Sequence, residues 1–329
     1  MHIQDAVLNV TTCAGTAVLA AGAVAYSMHR VRREFADRTA PLMGVVAACV
    51  FAAQMLNFPI PLATSGHLLG GVLAAVMLGP WSSALVLAVV LTVQCVLFQD
   101  GGVTTLGANF LNVGVAGSLV GYAIFDPLRR WFGGAAGTVA AAVVAAWFSV
   151  ALGAMACSIE LALGSDLPLG PTLGAMLLFH TMIGIGEALI TGLAISVVLR
   201  TRPDLIYGQS HRAGAIAKTA QVVIAGLAVA FVLAVFLSPL ASEQLDGLER
   251  VLTDASAESG ESSAVYATLR KLIPMSDYSM PGIRNLQVAG SAAGAAGTLI
   301  VFLAAFVLAR SLRAKSASLP AISPTPHAS

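Results

Sequence analysis

The sequence predicts an all-α polytopic membrane protein: a compact bundle of seven spans followed by a two-span hairpin. Three observations carry that reading. Of 329 residues, 57% are hydrophobic and only 10% charged, against about 25% charged in an ordinary soluble domain, and the mean hydropathy is +0.86. Apolar runs suited to a bilayer core, which takes roughly 20 helical residues to cross, recur along the whole chain. Lys and Arg crowd into alternate loops, as they do where alternate loops face the cytoplasm. The net charge of +1 and the lack of a basic cluster argue against nucleic acid as a partner.

The apolar runs give nine spans, at 7–28, 41–57, 67–80, 82–98, 106–125, 135–163, 170–199, 217–238 and 287–309. The third and fourth are short and separated by "GPWSS", so one of them is expected to be tilted or broken. The first lacks a basic n-region and a small-residue cleavage site, so no leader is expected to be removed. Arg30, Arg32, Arg33 and Arg38 follow the first span, and Arg129 and Arg130 the fifth. Arg200, Arg202, Arg212 and Lys218 follow the seventh, and Arg310, Arg313 and Lys315 the ninth. These basic residues mark the cytoplasmic side. The amino terminus is then outside and the carboxyl terminus inside a bacterial or archaeal cytoplasmic membrane, with the lipid bilayer as the chain's surroundings.

The chain divides into a membrane bundle at 1–210 and a hairpin at 211–315 whose outer loop covers 239–286. That loop carries Glu243, Asp246, Glu249, Asp254, Glu258, Glu261 and Asp277 against four basic residues, Arg250, Arg270, Lys271 and Arg284. Its stretch 248–272 reads as helix and "PMSDYSMPG" as a turn. The Pro/Ser-rich tail at 316–329 reads as disordered. Cys13, Cys49, Cys95 and Cys157 lie apart in apolar stretches with no CxxC, the pattern of small buried hydrophobes rather than of a metal finger.

The start, "MHIQD", carries the chemistry. A free amine followed by His can chelate a metal through the amine, the backbone nitrogen of residue 2 and the imidazole, closing adjacent five- and six-membered rings. Three coplanar nitrogens suit square-planar Ni(II) or Cu(II), and an imidazole is the natural fourth ligand. The candidate is His67 in "NFPIPLATSGHLLGG". Two prolines break the helix there, and irregular backbone at membrane depth is tolerated where protein surrounds it. By the charge pattern this loop shares the outer side with His2. The alternative for His67 is a helix-start residue bonded to its own loop.

The stretches "MHI", "QMLNFPIPLATSGHLLGG", "LGPWSS", "QDGGVTTLGANFLNVGVAG" and "IGIGEALITG" resemble the CbiM/NikM family, the substrate-capture components of cobalt/nickel energy-coupling factor (ECF) transporters. The hairpin with "DYSMPGI" resembles the accessory NikN subunit, so the chain is similar to a NikM–NikN fusion. The resemblance implies a seven-helix ECF capture bundle with the amino terminus inserted into it. It implies as metal ligands Met1 through its amine, His2 through backbone and imidazole nitrogens, and His67 through imidazole. The bulky His at position 2 also disfavours removal of Met1. Asn57, Ser65, Asn109 and Asn112 match polar positions of the motifs. A metal-bound imidazole gives its other N–H to an outer acceptor, and Asn109 in the "QDGGVTTLGANFLN" loop is expected to support a ligand, with helix capping as the alternative.

His180 and Glu187 lie seven apart on one face of the seventh span. Ionisable groups at that depth point to function or to a satisfied network; an interhelical network well away from the outer pocket is the reading preferred, so Glu187→Gln is expected to leave metal affinity unchanged. No GxxxxGK[ST], HExxH or GxSxG occurs. The chain is therefore read as a transport subunit, not an enzyme, with no permanent cofactor and with Ni(II) or Co(II) as its cargo. The resemblance supplies the missing partners, a transmembrane coupling subunit and cytosolic ATPases. Four planar nitrogens and the NikN-like hairpin favour nickel. Cobalt import for cobalamin synthesis is the alternative, and a secondary transporter of a small organic solute is a more distant one.

Overall fold

The computed structural model describes residues 1–34, 36, 39–208, 219–259 and 273–313. The expected bundle–hairpin boundary at 210, the 260–272 part of the predicted outer helix, the tail, and Arg38, Arg212, Lys218, Arg270, Lys271 and Lys315 lie outside these residues.

Among the described residues, nine helical segments correspond to the nine expected spans. They are α1 (Val10–Glu34), α2 (Thr39–Gln54), α3 (Gly71–Leu78), α4 (Pro80–Phe98), α5 (Leu106–Phe132), α6 (Gly134–Gly164), α7 (Leu169–Thr201), α8 (Thr219–Leu240) and, after an outer helix α9 (Gly247–Ser259), α10 (Leu286–Leu312). Seven of these are long and apolar enough to cross a membrane. The broken span is the third. Gly70 and Gly79 sit at φ 77 and φ 82 at its two ends, a conformation that costs glycine little. Pro80 then opens α4, where its missing N–H and fixed φ suit a first turn.

Ahead of α3 the chain makes a small hairpin, β1 (Phe58–Ile60) against β2 (Thr64–Gly66), antiparallel with Phe58 opposite Gly66. Residues 64–72 are buried. Irregular backbone inside a membrane protein must find protein partners for its polar groups, and it does. Gln54 of α2 donates Nε2–H to the Leu69 carbonyl at 2.8 Å. The N–H groups of Leu69 and Gly70 donate to the Glu187 carboxylate of α7 at 2.6 and 2.8 Å. Glu187 thus stands at the amino end of α3, where a helix favours negative charge.

Small residues let the helices approach closely, the usual driving geometry in lipid. A Cβ at Gly71 of α3 would lie 2.5 Å from the Gly117 Cα of α5. The hairpin packs on the bundle in the same way: Gly297 of α10 lies against Phe51 of α2, and Gly44 of α2 against Phe302 of α10. These pairs fix α10 antiparallel to α2. Tyr207 donates its Oη–H to Glu34 at 2.9 Å and Arg30 lies 5.0 Å over Trp81, so the arginine-bearing helix ends collect at one end of the bundle. The amino terminus and the long hairpin loop collect at the other.

Candidate metal-capture site

The first nine residues do not form helix; they thread into the bundle. Met1, His2 and Ile3 are 2%, 6% and 0% exposed. An unpaired main-chain group in such a place is costly, and Asn109 of α5 satisfies both groups of Ile3, accepting its N–H at 2.7 Å and donating to its carbonyl at 3.0 Å. The same carbonyl accepts from Gly102 N at 2.9 Å and Thr105 Oγ1 at 2.5 Å. One step on, the Asp5 carboxylate accepts from Val103 N, Thr104 N and Thr104 Oγ1 at 3.1, 2.8 and 2.6 Å. The loop 100–105 therefore wraps the amino-terminal strand. It needs its glycines: Gly101 is at φ 92, and a Cβ on Gly102 would stand 2.3 Å from Asp5 N.

This threading stacks the His2 and His67 rings, with centroids 5.2 Å apart and planes 6° from parallel. His67 Nδ1–H donates to the Leu68 carbonyl at 3.0 Å, which leaves Nε2 as its lone-pair nitrogen. His2 Nδ1 meets Asp100 Oδ1 at 2.9 Å, while His2 Nε2 is buried without a partner. Asp100 Oδ2 accepts from Tyr278 Oη at 2.6 Å. Burial alone would raise the Asp100 carboxyl, but His2, His67 and the Tyr278 hydrogen bond together outweigh it and hold it below the usual carboxylate range. Burial and the neighbouring Asp100 carboxylate push the Tyr278 hydroxyl well above its ordinary value, so it remains a donor.

The Met1 amine, fully buried, lies 3.3 Å from Asp246 Oδ2. Asp246 is itself fixed as the cap of α9. Its Oδ1 accepts from Leu248 N and Glu249 N at 2.8 and 2.7 Å, and Glu249 Oε2 accepts from Asp246 N at 2.9 Å, a reciprocal capping box. Burial again works to raise the Asp246 carboxyl, and the terminal ammonium, the neighbouring histidines and the Glu249 N–H together outweigh it, so the group is held below the ordinary range. Among the described residues no three His, Cys, Asp or Glu side chains converge as metal ligands. Two imidazoles beside an amine and a backbone nitrogen are what this end of the bundle offers an ion.

The remaining candidates separate. Asn109 grips the strand one residue beyond His2. Ser65 lies two residues before His67, but its Oγ–H donates to the Gln244 carbonyl at 2.6 Å and its N–H to Leu245 O at 2.8 Å, facing the hairpin loop and not an imidazole. Asn57 accepts through its main-chain oxygen from Ser242 N at 2.8 Å. Asn112, three residues from Asn109, turns elsewhere and donates to Glu160 of α6 at 2.6 Å. His180 and Glu187 are both buried, but each takes a different partner: His180 Nδ1–H donates to the Met176 carbonyl of its own helix at 2.8 Å. Glu187 is not remote from the outer pocket. The His67 loop dips to meet it, and the carboxylate holds residues two and three positions beyond that histidine.

Sequence reasoning passed over Asp5, Asp100, Asp246, Tyr278 and Glu160. Glu160 had a signal, being a carboxylate within an apolar span. Asp100 had a weaker one in the "QDGG" stretch. Asp246 stood out only as one of the loop's acidic residues and Tyr278 only as part of "DYSMPGI"; neither pointed to its partner, which lies 245 and 178 residues away.

The likenesses of this polytopic helical bundle make it a membrane component of metal transport. The chain belongs to the CbiM family: the family model described as the cobalt uptake substrate-specific transmembrane region matches residues 2–205, and a PDGLE domain model matches residues 220–314. A protein of Archaeoglobus fulgidus described as a fused nickel transport protein NikMN is 36% identical over 95% of this chain and 99% of that one. The fused nickel transport protein NikMN of Rhodobacter capsulatus is 34% identical over 63% of this chain and 64% of that one. The cobalt transport protein CbiM of Sorangium cellulosum is 35% identical over 63% and 94%. A crystal structure of a truncated transition metal transporter matches with a TM-score of 0.56 and 30% identity, covering 61% of this chain and 99% of that one.

Proposed function

We propose that the chain is the metal-capture subunit of an ATP-driven ECF-type nickel importer and takes Ni(II) from the outer side through Met1, His2 and His67. The observation that carries this is the buried amine and the two stacked imidazoles brought together by an inserted amino terminus. The six-membered chelate ring of His2 closes only through Nδ1, the nitrogen that here bonds Asp100. To ligate, the Met1 ammonium must give up a proton, the His2 main-chain N–H its proton and His2 Nδ1 the one it shares with Asp100. The ion would take the place of these protons, with Asp246 beside the amine and Asp100 still bonded to Tyr278. His67 offers Nε2 as the fourth nitrogen, its tautomer fixed by the Leu68 carbonyl as outer partners commonly fix metal-bound imidazoles. Four nitrogens in a plane favour Ni(II).

In this reading the arginine-rich end faces the cytoplasm and the amino terminus faces out. A transmembrane coupling subunit and cytosolic ATPases supply the energy for uphill import. The cobalt alternative rests on the family description and the cobalt-named relative, whose ligand types would be shared. The test is an absorption titration of the purified full-length protein with Ni(II), beside a copy carrying one extra residue before Met1. A stoichiometric square-planar Ni(II) band in the native protein, absent from the extended copy, supports the reading. Equal binding by both removes the amine from the ligand set and overturns it.

A further inference from the structure

The CbiM and PDGLE matches meet no nearer than residues 205 and 220, yet in space the second reaches into the ligand pocket of the first. We infer that Asp246 and Tyr278 of the hairpin are positioning residues of the capture site, one holding the Met1 amine and the other orienting His2 through Asp100; this rests on the amino-terminal chelate proposed above.

Three contacts support it. Asp246 divides its carboxylate, with Oδ1 capping α9 and Oδ2 turned to the amine at 3.3 Å. The cap makes Asp246 rigid, so the amine is held by a fixed group and not by a mobile side chain. The same stretch of loop pairs alongside β2, through Ser65 N to Leu245 O at 2.8 Å and a parallel bridge between Ser65 and Asp246. One short segment therefore touches both the amino terminus and the strand that leads into His67. Tyr278 makes the second junction. Its hydroxyl donates to Asp100 and accepts from Gln94 Nε2 at 3.3 Å, and Gln94 donates to Gln54, which in turn holds the Leu69 carbonyl. His2 and the His67 loop are tied through this chain of side chains, and Tyr278 is its link from the hairpin.

The Met1 amine and His2 are buried, while the Asp246 and Asp100 side chains are 14% and 24% exposed, a setting in which a carboxylate acts on an N–H partner more strongly than in open water. Removing an outer partner of a metal ligand weakens metal binding roughly 10–100-fold. Asp246→Asn is the informative change, because Asn caps a helix about as well as Asp and only the charge facing the amine is lost.

The experiment uses full-length protein in lipid nanodiscs with two readouts. One is Ni(II) affinity; the other is the rate at which an amine-directed acylating reagent labels the amino terminus of the metal-free protein. Asp246→Asn is expected to weaken Ni(II) binding roughly 10–100-fold and to speed labelling of the amine, with Asp246→Glu restoring part of both. Tyr278→Phe, which removes one hydroxyl, is expected to weaken Ni(II) binding while leaving labelling at the wild-type rate. Wild-type affinity and labelling in Asp246→Asn overturn the inference, and so does faster labelling with unchanged affinity. If the wild-type protein takes up no Ni(II), the functional reading fails, and the labelling rates still decide whether Asp246 holds the amine.

Discussion

The two ends of the bundle use charge in opposite ways. At the arginine-rich end the ion pairs are local and at least partly exposed: Arg30 with Glu34, Arg129 and Arg130 with Asp126, Arg202 with Asp204. Each joins residues two to four apart, and the Arg130 side chain is 74% exposed. Pairs of this kind contribute about 0–1 kcal/mol. At the other end the pairs join distant segments, Met1 to Asp246 and His2 to Asp100, with the amine fully buried. Removing one partner of a buried pair costs about 3–5 kcal/mol, because a charge is left uncompensated. The first end can vary with little consequence, whereas the second holds the amino terminus, the His67 loop and the hairpin in one arrangement.

That contrast can be broken most forcefully at Gly102. Its position leaves no room for a Cβ against the Asp5 backbone, so Gly102→Val should push the amino-terminal strand out of the bundle. Ni(II) binding should fall by the upper end of a roughly 10–100-fold range or more, read by titration, with the protein still inserted and helical by circular dichroism. Glu187 comes next. Glu187→Ala leaves the N–H groups of Leu69 and Gly70 without their acceptor, at about 1–3 kcal/mol for each buried donor. Thermal stability and Ni(II) affinity should both drop, and Glu187→Gln, which keeps one acceptor oxygen, should fall between. This replaces the expectation, drawn from the depth of Glu187 along its span, that Glu187→Gln leaves affinity unchanged.

Smaller effects sharpen the comparison. Asp5→Ala removes the acceptor for two backbone N–H groups of the wrapping loop, a loss comparable to that of a helix cap, about 1 kcal/mol. It should weaken Ni(II) binding only a few-fold. At the other end, Arg30→Ala should leave Ni(II) affinity unchanged in the same titration. A loss there equal to that of Asp5→Ala would show that the two ends are coupled.

Much of the fold was legible because lipid imposes simple demands. Length and hydropathy mark spans, and all nine appear as helical segments. The Pro and Gly breaks around "NFPIP" and "GPWSS" bracket the short third helix, but the fourth, also read as short, is the 19-residue α4. Boundaries were less visible: α1 continues to Glu34 past the expected residue 28, since an amphipathic last turn at the interface remains helical without being apolar. At the site, the histidine pair and Asn109 could be singled out from motif and chemistry. Their partners could not. Asp246 and Tyr278 become neighbours of residues 1 and 100 only through packing of α10 on α2, which no local pattern encodes. The expected remoteness of Glu187 from the outer pocket failed for a related reason: a shared helix face says which way side chains point, not which loop comes to meet them.

The most direct measurement is the Ni K-edge X-ray absorption spectrum of the full-length protein loaded with one equivalent of Ni(II). The account predicts four nitrogen scatterers in a plane, with imidazole outer-shell features from two rings and the intense pre-edge peak of a square-planar centre. A six-coordinate, oxygen-dominated shell would contradict it, since the amine, the amide nitrogen and the two imidazoles could not then be the ligands that hold the metal.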